Sequence, residues 1–419
     1  MINWIQKVSK NNSSRNNLIS LVSGNFFFFG VQYFLLILFT KFYNQEIIGV
    51  YIFSLALIKP ILIPFNLQLR SLFVTDTNDD LDIEDFHSLR IIGNVITLVV
   101  IIFFSFFNDN INLIILMCLI LIKIVESQSE MCHAIYQKKQ EMVFIGVSKW
   151  INGFLIFISV FLTVFLGFSM EIALLVWLSI SVSVLLFLDL KMAKIKSATF
   201  VKMKKYFNLK SLIKIMKFAW PIIPLEIVAK YYESFPNLFV GEKLGLEILA
   251  VFGSILYFKA IGGQVLTQTI NIIEPKLTLY IKVGSYREFN NLIFKLFVFG
   301  AFVAVFIVSF LYFSGEHILR FIFTEEYASY SNILTMVAIS SGISYLYAFF
   351  STALTCLRKH KIKVPILFVG LLFIFIITKI TVNVSLDIFV KYLIYTELLI
   401  GVLFLFSYLY FFKKASNGN

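Results

Sequence analysis

Apolar residues run along this chain in blocks too long and too continuous for strands or for the one-sided stripe of a surface helix. A helix that crosses the hydrocarbon core of a bilayer needs about 20 mostly apolar residues. By that measure the pattern predicts helices near 18–40, 47–69, 90–107, 112–137, 143–167 and 170–190. A second set follows near 212–235, 245–273, 290–313, 330–356, 364–384 and 388–412. The expected fold class is an all-α integral membrane protein of about twelve transmembrane helices. The first span follows Lys7, Lys10 and Arg15 and lacks a small-residue cleavage site, which predicts a retained helix rather than a signal peptide.

Composition strengthens this picture. Of 419 residues, 59% are hydrophobic and only 14% charged, whereas soluble domains keep about a quarter of their residues charged. Phe supplies 49 residues, in runs such as Phe26–Phe29 that no aqueous surface tolerates. The net charge of +12 does not point to nucleic acid, because the basic residues gather in short segments between spans. With the N-terminus cytoplasmic, those segments hold 25 Lys or Arg on the cytoplasmic side and only Lys41, Lys243 and Arg320 on the other. The alternation predicts that both termini are cytoplasmic. The acidic stretch Asp76–Asp85 carries little weight in this rule. Cys118, Cys132 and Cys356 show neither disulfide nor metal spacing and are expected to be small buried residues.

The long basic connection Lys191–Lys217 lies after six spans and before six more. It predicts an N-lobe over 1–190, a cytoplasmic linker over 191–211, a C-lobe over 212–412 and a tail over 413–419, with the lobes around a central cavity. A parallel repeat should leave a faint internal echo. Glu46–Tyr51 and Glu247–Phe252 supply one, and a lone lysine follows each, Lys59 and Lys259.

Ionisable groups in mid-bilayer cost about 2.5–3.5 kcal/mol each at a helix centre, so they should face a partner or a wet cavity. The fourth span carries Lys123, Glu126, Glu130, His133 and Gln137 on one face, at helical spacing. That stripe is open to two readings: a cavity wall, with a proton relay through Glu126, Glu130 and His133, or a buried ion-pair ladder. The seventh span carries Glu226, Lys230, Glu233 and Asn237, with Glu226 and Lys230 placed to neutralise each other and Pro221, Pro224 and Pro236 nearby to bend the helix. Neither Lys59 nor Lys259 has an acid three or four positions away. Lys59 shares a face with Asn66 and Arg70, and Lys259 lies at the margin of a face bearing Gln264, Thr267, Gln268, Asn271 and Glu274. Such cations suit a phosphate, or else acids from other helices. The hydroxyls Ser340, Ser344, Tyr347, Ser351 and Thr355 of the tenth span suit helix packing. No P-loop, H-E-x-x-H, G-x-S-x-G or CxxC motif is present, and no large extramembrane loop pairs carboxylates. The largest external connections, around 234–246 and 314–330, are too short for a catalytic domain.

Several segments together resemble a known family: Asn17–Asn25 with Gln32, Gly49–Tyr51 through Pro60 to Leu67–Arg70, Glu126 through Gln137–Lys138, Phe218–Pro221, and Ile318–Tyr327. They are similar to the O-antigen and polysaccharide flippases of the multidrug/oligosaccharidyl-lipid/polysaccharide exporter superfamily, over about residues 15–412 of the chain. The resemblance implies a bacterial inner-membrane protein, not an enzyme. It would carry an oligosaccharide unit on undecaprenyl diphosphate from the cytoplasmic to the periplasmic leaflet by alternating access. It implies no resident cofactor, a proton or sodium gradient as the candidate driving force, and membrane lipids and other polysaccharide-assembly proteins as partners. Related lipid II flippases meet the diphosphate with cations on helices 1, 2 and 8. Lys59 and Lys259, joined by Arg70, are the similar positions here, while the first helix offers only Asn25 and Gln32. Lys123, Glu126, Glu130, His133, Glu226, Lys230, Gln264, Gln268 and Asn271 would then meet sugar or the coupling ion. A cation-coupled multidrug antiporter of the same superfamily and a membrane polysaccharide polymerase are the alternatives.

Overall fold

In lipid, no water is available to satisfy backbone N–H and C=O groups, so an apolar chain crosses as helices that bond internally. The computed structural model describes residues 14–75, 83–106, 111–196, 209–220, 223–381 and 383–417, and it is all helical. Lys7, Lys10, Asp76 to Asp80, Pro221 and residues 197–208 of the basic connection lie outside the described residues.

The helices are α1 (Ser14–Phe42), α2 (Gln45–Phe65), α3 (Leu69–Thr75), α4 (Ile83–Ser105), α5 (Leu113–Lys138), α6 (Val143–Phe165) and α7 (Met170–Val184). A π turn, Leu185–Asp189, joins α7 to α8 (Leu190–Lys196). Next come α9 (Leu209–Ala219), α10 (Ile223–Lys243), α11 (Leu246–Lys282), α12 (Tyr286–Ile322), α13 (Glu325–Ala328), α14 (Ser331–Cys356), α15 (Lys363–Ile380) and α16 (Leu386–Asn417).

Among the described residues, ten helices are long and apolar enough to cross a membrane. The two expected spans that miss this standard, α5 and α10, are helical but carry too many charges, Lys123, Glu126 and Glu130 in one and Glu226, Lys230 and Glu233 in the other. Four further departures have local causes. The span expected over 212–235 is two helices, α9 and α10, with a proline at 221 in the sequence between them that has no N–H to donate. The helix expected to end at 69 stops at Phe65, and Leu67 and Gln68 take left-handed φ values of 53° and 47° before α3 resumes. A helix runs through most of the external connection expected around 314–330, because α12 continues to Ile322 and α13 follows. α11 and α12 are each 37 residues long, or about 55 Å at 1.5 Å per residue, far more than the bilayer core.

The chain divides into two compact units, Met1–Ser234 and Phe235–Asn419. The division falls inside α10, downstream of the basic connection. In the first unit α5 lies at the centre, against α2, α3, α4, α6, α7 and α8, while α1 packs along α6. An apolar cluster of Phe73, Phe86, Leu89, Met131, Ile135 and Ile215 ties α3, α4, α5 and α9 together. In the second unit α14 is central, against α11, α12 and α16, and α15 packs on α16. The most apolar stretch of α12 is not buried at all, and Phe299, Phe302, Phe306, Phe310 and Phe313 stand exposed, as a lipid-facing helix requires. All three cysteines are buried.

The tightest helix crossing joins α1 to α6 through glycines. A methyl group added at Gly24 would lie 2.6 Å from the Gly146 Cα, and one added at Gly146 would run into the Ser20 carbonyl. Small residues at such crossings let backbones approach where lipid gives no hydrophobic drive. Gly146→Val is therefore expected to destabilise the protein by about 1–3 kcal/mol, the usual cost of overpacking, read as a lower unfolding midpoint in detergent. Gly30→Ala, with nothing within 4 Å of the added methyl, is the control that leaves the midpoint in place.

Candidate functional site

The charged residues of the first unit meet side chains from other helices and form three polar groups. The first lies mid-span. Lys59, in the last two turns of α2, approaches the Glu233 carboxylate of α10 at 3.7 Å, and Lys230 binds the other oxygen of the same carboxylate at 2.8 Å. One glutamate thus serves two lysines. The Lys59 and Glu233 side chains are 49% and 51% exposed, so they face open space rather than packed protein. One turn earlier on α10, Glu226 accepts a hydrogen bond from Gln68. The expected pairing of Glu226 with Lys230 is therefore replaced by the bond from Lys230 to Glu233, three residues along the same face. On α5, Lys123 binds Glu126 at 2.8 Å, and Gln32 of α1 donates to the other Glu126 oxygen at 3.1 Å.

The second group holds the break between α2 and α3. Ser127 of α5 donates to Asn66 at 3.0 Å and accepts from the buried guanidinium of Arg90 at 3.1 Å. Arg70, just past the break, donates to Gln137 at 2.9 Å. Two residues with positive φ cost about 1–2 kcal/mol each, and these side-chain bonds offset that strain.

The third group is a small polar pocket lined by Glu126, Glu130, His133, Ser148, Lys149 and Asp189, among others. His133 lies 3.3 Å from Ser148 and 3.4 Å from Asp189, and Ser148 donates to Asp189 at 2.6 Å. Arg70, Lys149, Arg90 and His133 are the charged or titratable groups that face Glu130. The α5 stripe is therefore both a ladder and a wall. Lys123, Glu126 and Gln137 are tied to neighbours, while Glu126, Glu130 and His133 also line the pocket.

In the second unit, Lys259 of α11 binds Glu397 of α16 at 2.7 Å, and the other Glu397 oxygen accepts from the Tyr347 hydroxyl of α14 at 2.7 Å. Glu397 is 3% exposed and Lys259 31%. The Lys259 carbonyl accepts from Tyr345, and the Lys259 side chain opens onto a mostly apolar pocket with Phe258, Ile307, Leu334 and Val337. Gln264 and Gln268 are half-buried and Asn271 is exposed; among the described residues, none makes a side-chain hydrogen bond within the protein.

Both lysines without an acid on their own helix thus meet one from another helix, Glu233 and Glu397. Several site residues escaped the sequence analysis, among them Ser127, Ser148, Lys149, Glu397 and Asp189. Glu397 is the lone acid deep inside an otherwise apolar span, which is itself a signal. Asp189 falls at the very end of the sixth expected span, two residues before Lys191, where an acid reads as a span end, whereas the π turn places it in the bundle at 1% exposure.

No protein-family model matches the chain. It is 25% identical over 363 residues to the capsular polysaccharide biosynthesis protein CapF of Staphylococcus aureus, covering 83% of this chain and 87% of that protein. Its fold is similar to that of an inward-facing multidrug resistance MATE family transporter of the MOP superfamily, with a TM-score of 0.67 at 11% identity over 96% of this chain and 99% of the other. The outward-facing form of such a transporter gives 0.57 at 11% identity over 98% of each chain. The Vibrio cholerae MATE transporter VcmN in its bent form gives 0.58 at 10% identity, again over 98% of each chain. The chain is a multi-span membrane protein with a MATE-like fold.

Proposed function

We propose that this protein is a transporter that moves a lipid-linked oligosaccharide for a surface polysaccharide, carried on a polyprenyl diphosphate, from the cytoplasmic to the outer leaflet of a bacterial inner membrane. Twelve helices with both termini cytoplasmic, two lobes and alternating access belong to this reading. The MATE-like fold supports transport, and the likeness to CapF, whose name places it in capsular polysaccharide biosynthesis, supports the class of cargo.

The observation that carries the reading is the cluster of Lys59, Lys230 and Glu233. Two cations share one carboxylate in mid-span, and the cluster is half exposed. Such a cluster against hydrocarbon would be expensive, so it belongs beside water or beside an anion. A diphosphate supplies the anion, and lysine binds phosphate as a point charge. Lys259 offers the second unit's cation. Of the deep carboxylates that a cationic drug would need, Glu126, Glu233 and Glu397 are each held by a lysine and Glu226 accepts from Gln68.

Deleting the gene is expected to abolish the surface polysaccharide and to leave single lipid-linked units facing the cytoplasm, as assayed by lipid extraction and leaflet-selective labelling. Normal polysaccharide with new sensitivity to cationic drugs would overturn the proposal in favour of a drug antiporter.

Lys59→Ala should cut surface polysaccharide by roughly tenfold or more, since a hydrogen bond to a charged group contributes about 1.5–3 kcal/mol. Removing Lys259 alone leaves Glu397 buried without its cation, at a cost of about 3–5 kcal/mol. The informative variant is therefore Lys259→Met with Glu397→Gln, expected to insert stably but to export poorly. Full export by both Lys59→Ala and this double variant would eliminate the lysines as cargo contacts.

A further inference from the structure

The His133 group of the first unit has a chemistry that the cargo reading does not use. Asp189 is 1% exposed, His133 3% and Ser148 2%, so the three are sealed inside the bundle. Among the described residues, no lysine or arginine comes within ion-pair distance of Asp189. Its contacts are the Ser148 hydroxyl, which donates to it at 2.6 Å, and the His133 Nε2 at 3.4 Å. A buried carboxylate with only a hydroxyl for support costs several kcal/mol, and the chain has one group within reach that can become its counter-ion. That group is the imidazole.

We propose that His133 and Asp189 together form a proton-binding site, occupied by one proton as an imidazolium–carboxylate pair. The hydroxyl of Ser148 marks Asp189 as the acceptor, so the proton resides on His133, with Nε2–H directed at Asp189. The other ring nitrogen, Nδ1, has no hydrogen-bond partner although it is buried, and neither has the Ser181 hydroxyl, which lines the same pocket at 2% exposure. Two unpartnered polar groups in one small polar pocket make room for a water that delivers or removes the proton.

The neighbours of the pair support one exchangeable proton rather than a fixed charge. On α5 itself stand Glu126, one turn further Glu130, and the Cys132 thiol beside His133. α6 contributes Lys149, on which Glu130 acts most strongly, with Arg70, Glu126 and Asp189 following. Arg70 of α3 and Arg90 of α4 face Glu130. α1 contributes Phe28, under the Lys149 ammonium at 5.9 Å, and no charge; α7 contributes Ser181. The arginines and Lys149 thus act chiefly on Glu130; Lys149 also acts on Asp189 from a distance, and His133 is the titratable base within ion-pair reach of that carboxylate.

Asp189 is also the last residue of the π turn Leu185–Asp189. A π turn holds one residue more than the α-helix it interrupts. If it relaxed to α geometry, Asp189 would rotate about the helix axis by about 100° relative to what precedes it. The pair would separate, and the imidazolium would lose the carboxylate that holds its proton. Proton release and a local change of helix geometry are therefore one event, and this holds whatever the cargo is.

The chain has four histidines, so histidine-selective NMR of the full-length protein in lipid nanodiscs can resolve each ring, with His133→Gln assigning the relevant signal. At neutral pH the His133 ring should show the imidazolium pattern, lost reversibly as pH rises. In Asp189→Asn the imidazolium fraction at the same pH should fall at least tenfold, while Ser148→Ala, which leaves the pair in place, should keep most of it. A neutral His133 ring in the native protein, or one equally protonated in Asp189→Asn, would overturn the proposal. A His133 spectrum that answers to sodium at fixed pH and not to protons would replace it with a metal-cation site. Size-exclusion profiles matching the native protein qualify each variant, and Ser148→Ala keeps the comparison open if Asp189→Asn does not fold. None of these signals depends on transport, so they separate this proposal from the cargo reading.

Discussion

A charge in the middle of a membrane helix must be met by another helix, and this requirement organises the first unit. α5 carries Lys123, Glu126, Glu130 and His133, too much charge to cross lipid alone. It is therefore the central helix, surrounded by six others; Arg70, Arg90 and Ser148 come from these, Gln32 from α1 and Asp189 from the π turn. The irregular backbone of the unit serves the same end. The left-handed pair after α2 is braced by Asn66 on Ser127, and the π turn after α7 carries Asp189 inward. Non-helical backbone survives at membrane depth only where protein or a wet cavity covers it, and both irregularities lie against α5.

Paired charges change what binding a ligand means. Lys59 and Lys230 are not bare cations waiting for phosphate, since Glu233 already lies between them. An anion entering there must displace or share that carboxylate, so part of its attraction is spent on exchange. On the proposed reading, the same carboxylate offsets part of the lysines' charge when no cargo is present and so lowers the cost of the empty state. A carrier has to let go of its load, and a resident counter-ion that competes with the cargo makes release easier than bare lysines would. The half-exposure of Lys59 and Glu233 suits such an exchange, and the burial of Glu397 makes the Lys259 pair the stiffer of the two.

How much of this was legible depended on whether the cause was local. Span positions follow from apolar length, and the polar face of α5 from spacing alone. The choice of partner did not, because it is decided by helices distant in sequence: Lys59 meets a residue 174 positions away and Lys259 one 138 positions away. Glu226 and Lys230 stand at a spacing that favours pairing, yet Gln68 and Glu233 take their place. The π turn leaves no mark in Leu185–Asp189, a run of apolar residues ending in an acid, so Asp189 looked like the end of a span. The stop at Phe65 had a local sign in Pro60 and Pro64, but the left-handed turn that follows depends on Ser127 and Arg90.

The internal echo between Glu46–Tyr51 and Glu247–Phe252 suggests two halves of common design, but the halves carry different chemistry. α14, the central helix of the second unit, has hydroxyls where α5 has charges. Those of Ser341, Ser344, Thr352 and Thr355 bond to carbonyls of their own helix, which frees α14 to pack closely and leaves it little to offer a ligand. Among the described residues, the ion pair that links two spans of the second unit is Lys259–Glu397, between α11 and α16, while Arg320 pairs with Glu316 and Glu325 at the end of α12. A conformational cycle run by protons or ions needs groups whose charge can change with geometry. Such groups are concentrated around α5, where His133 and Asp189 meet at the one π turn among the described residues. On the proton-site proposal, a change of ionisation would therefore begin in the first unit, beside α5.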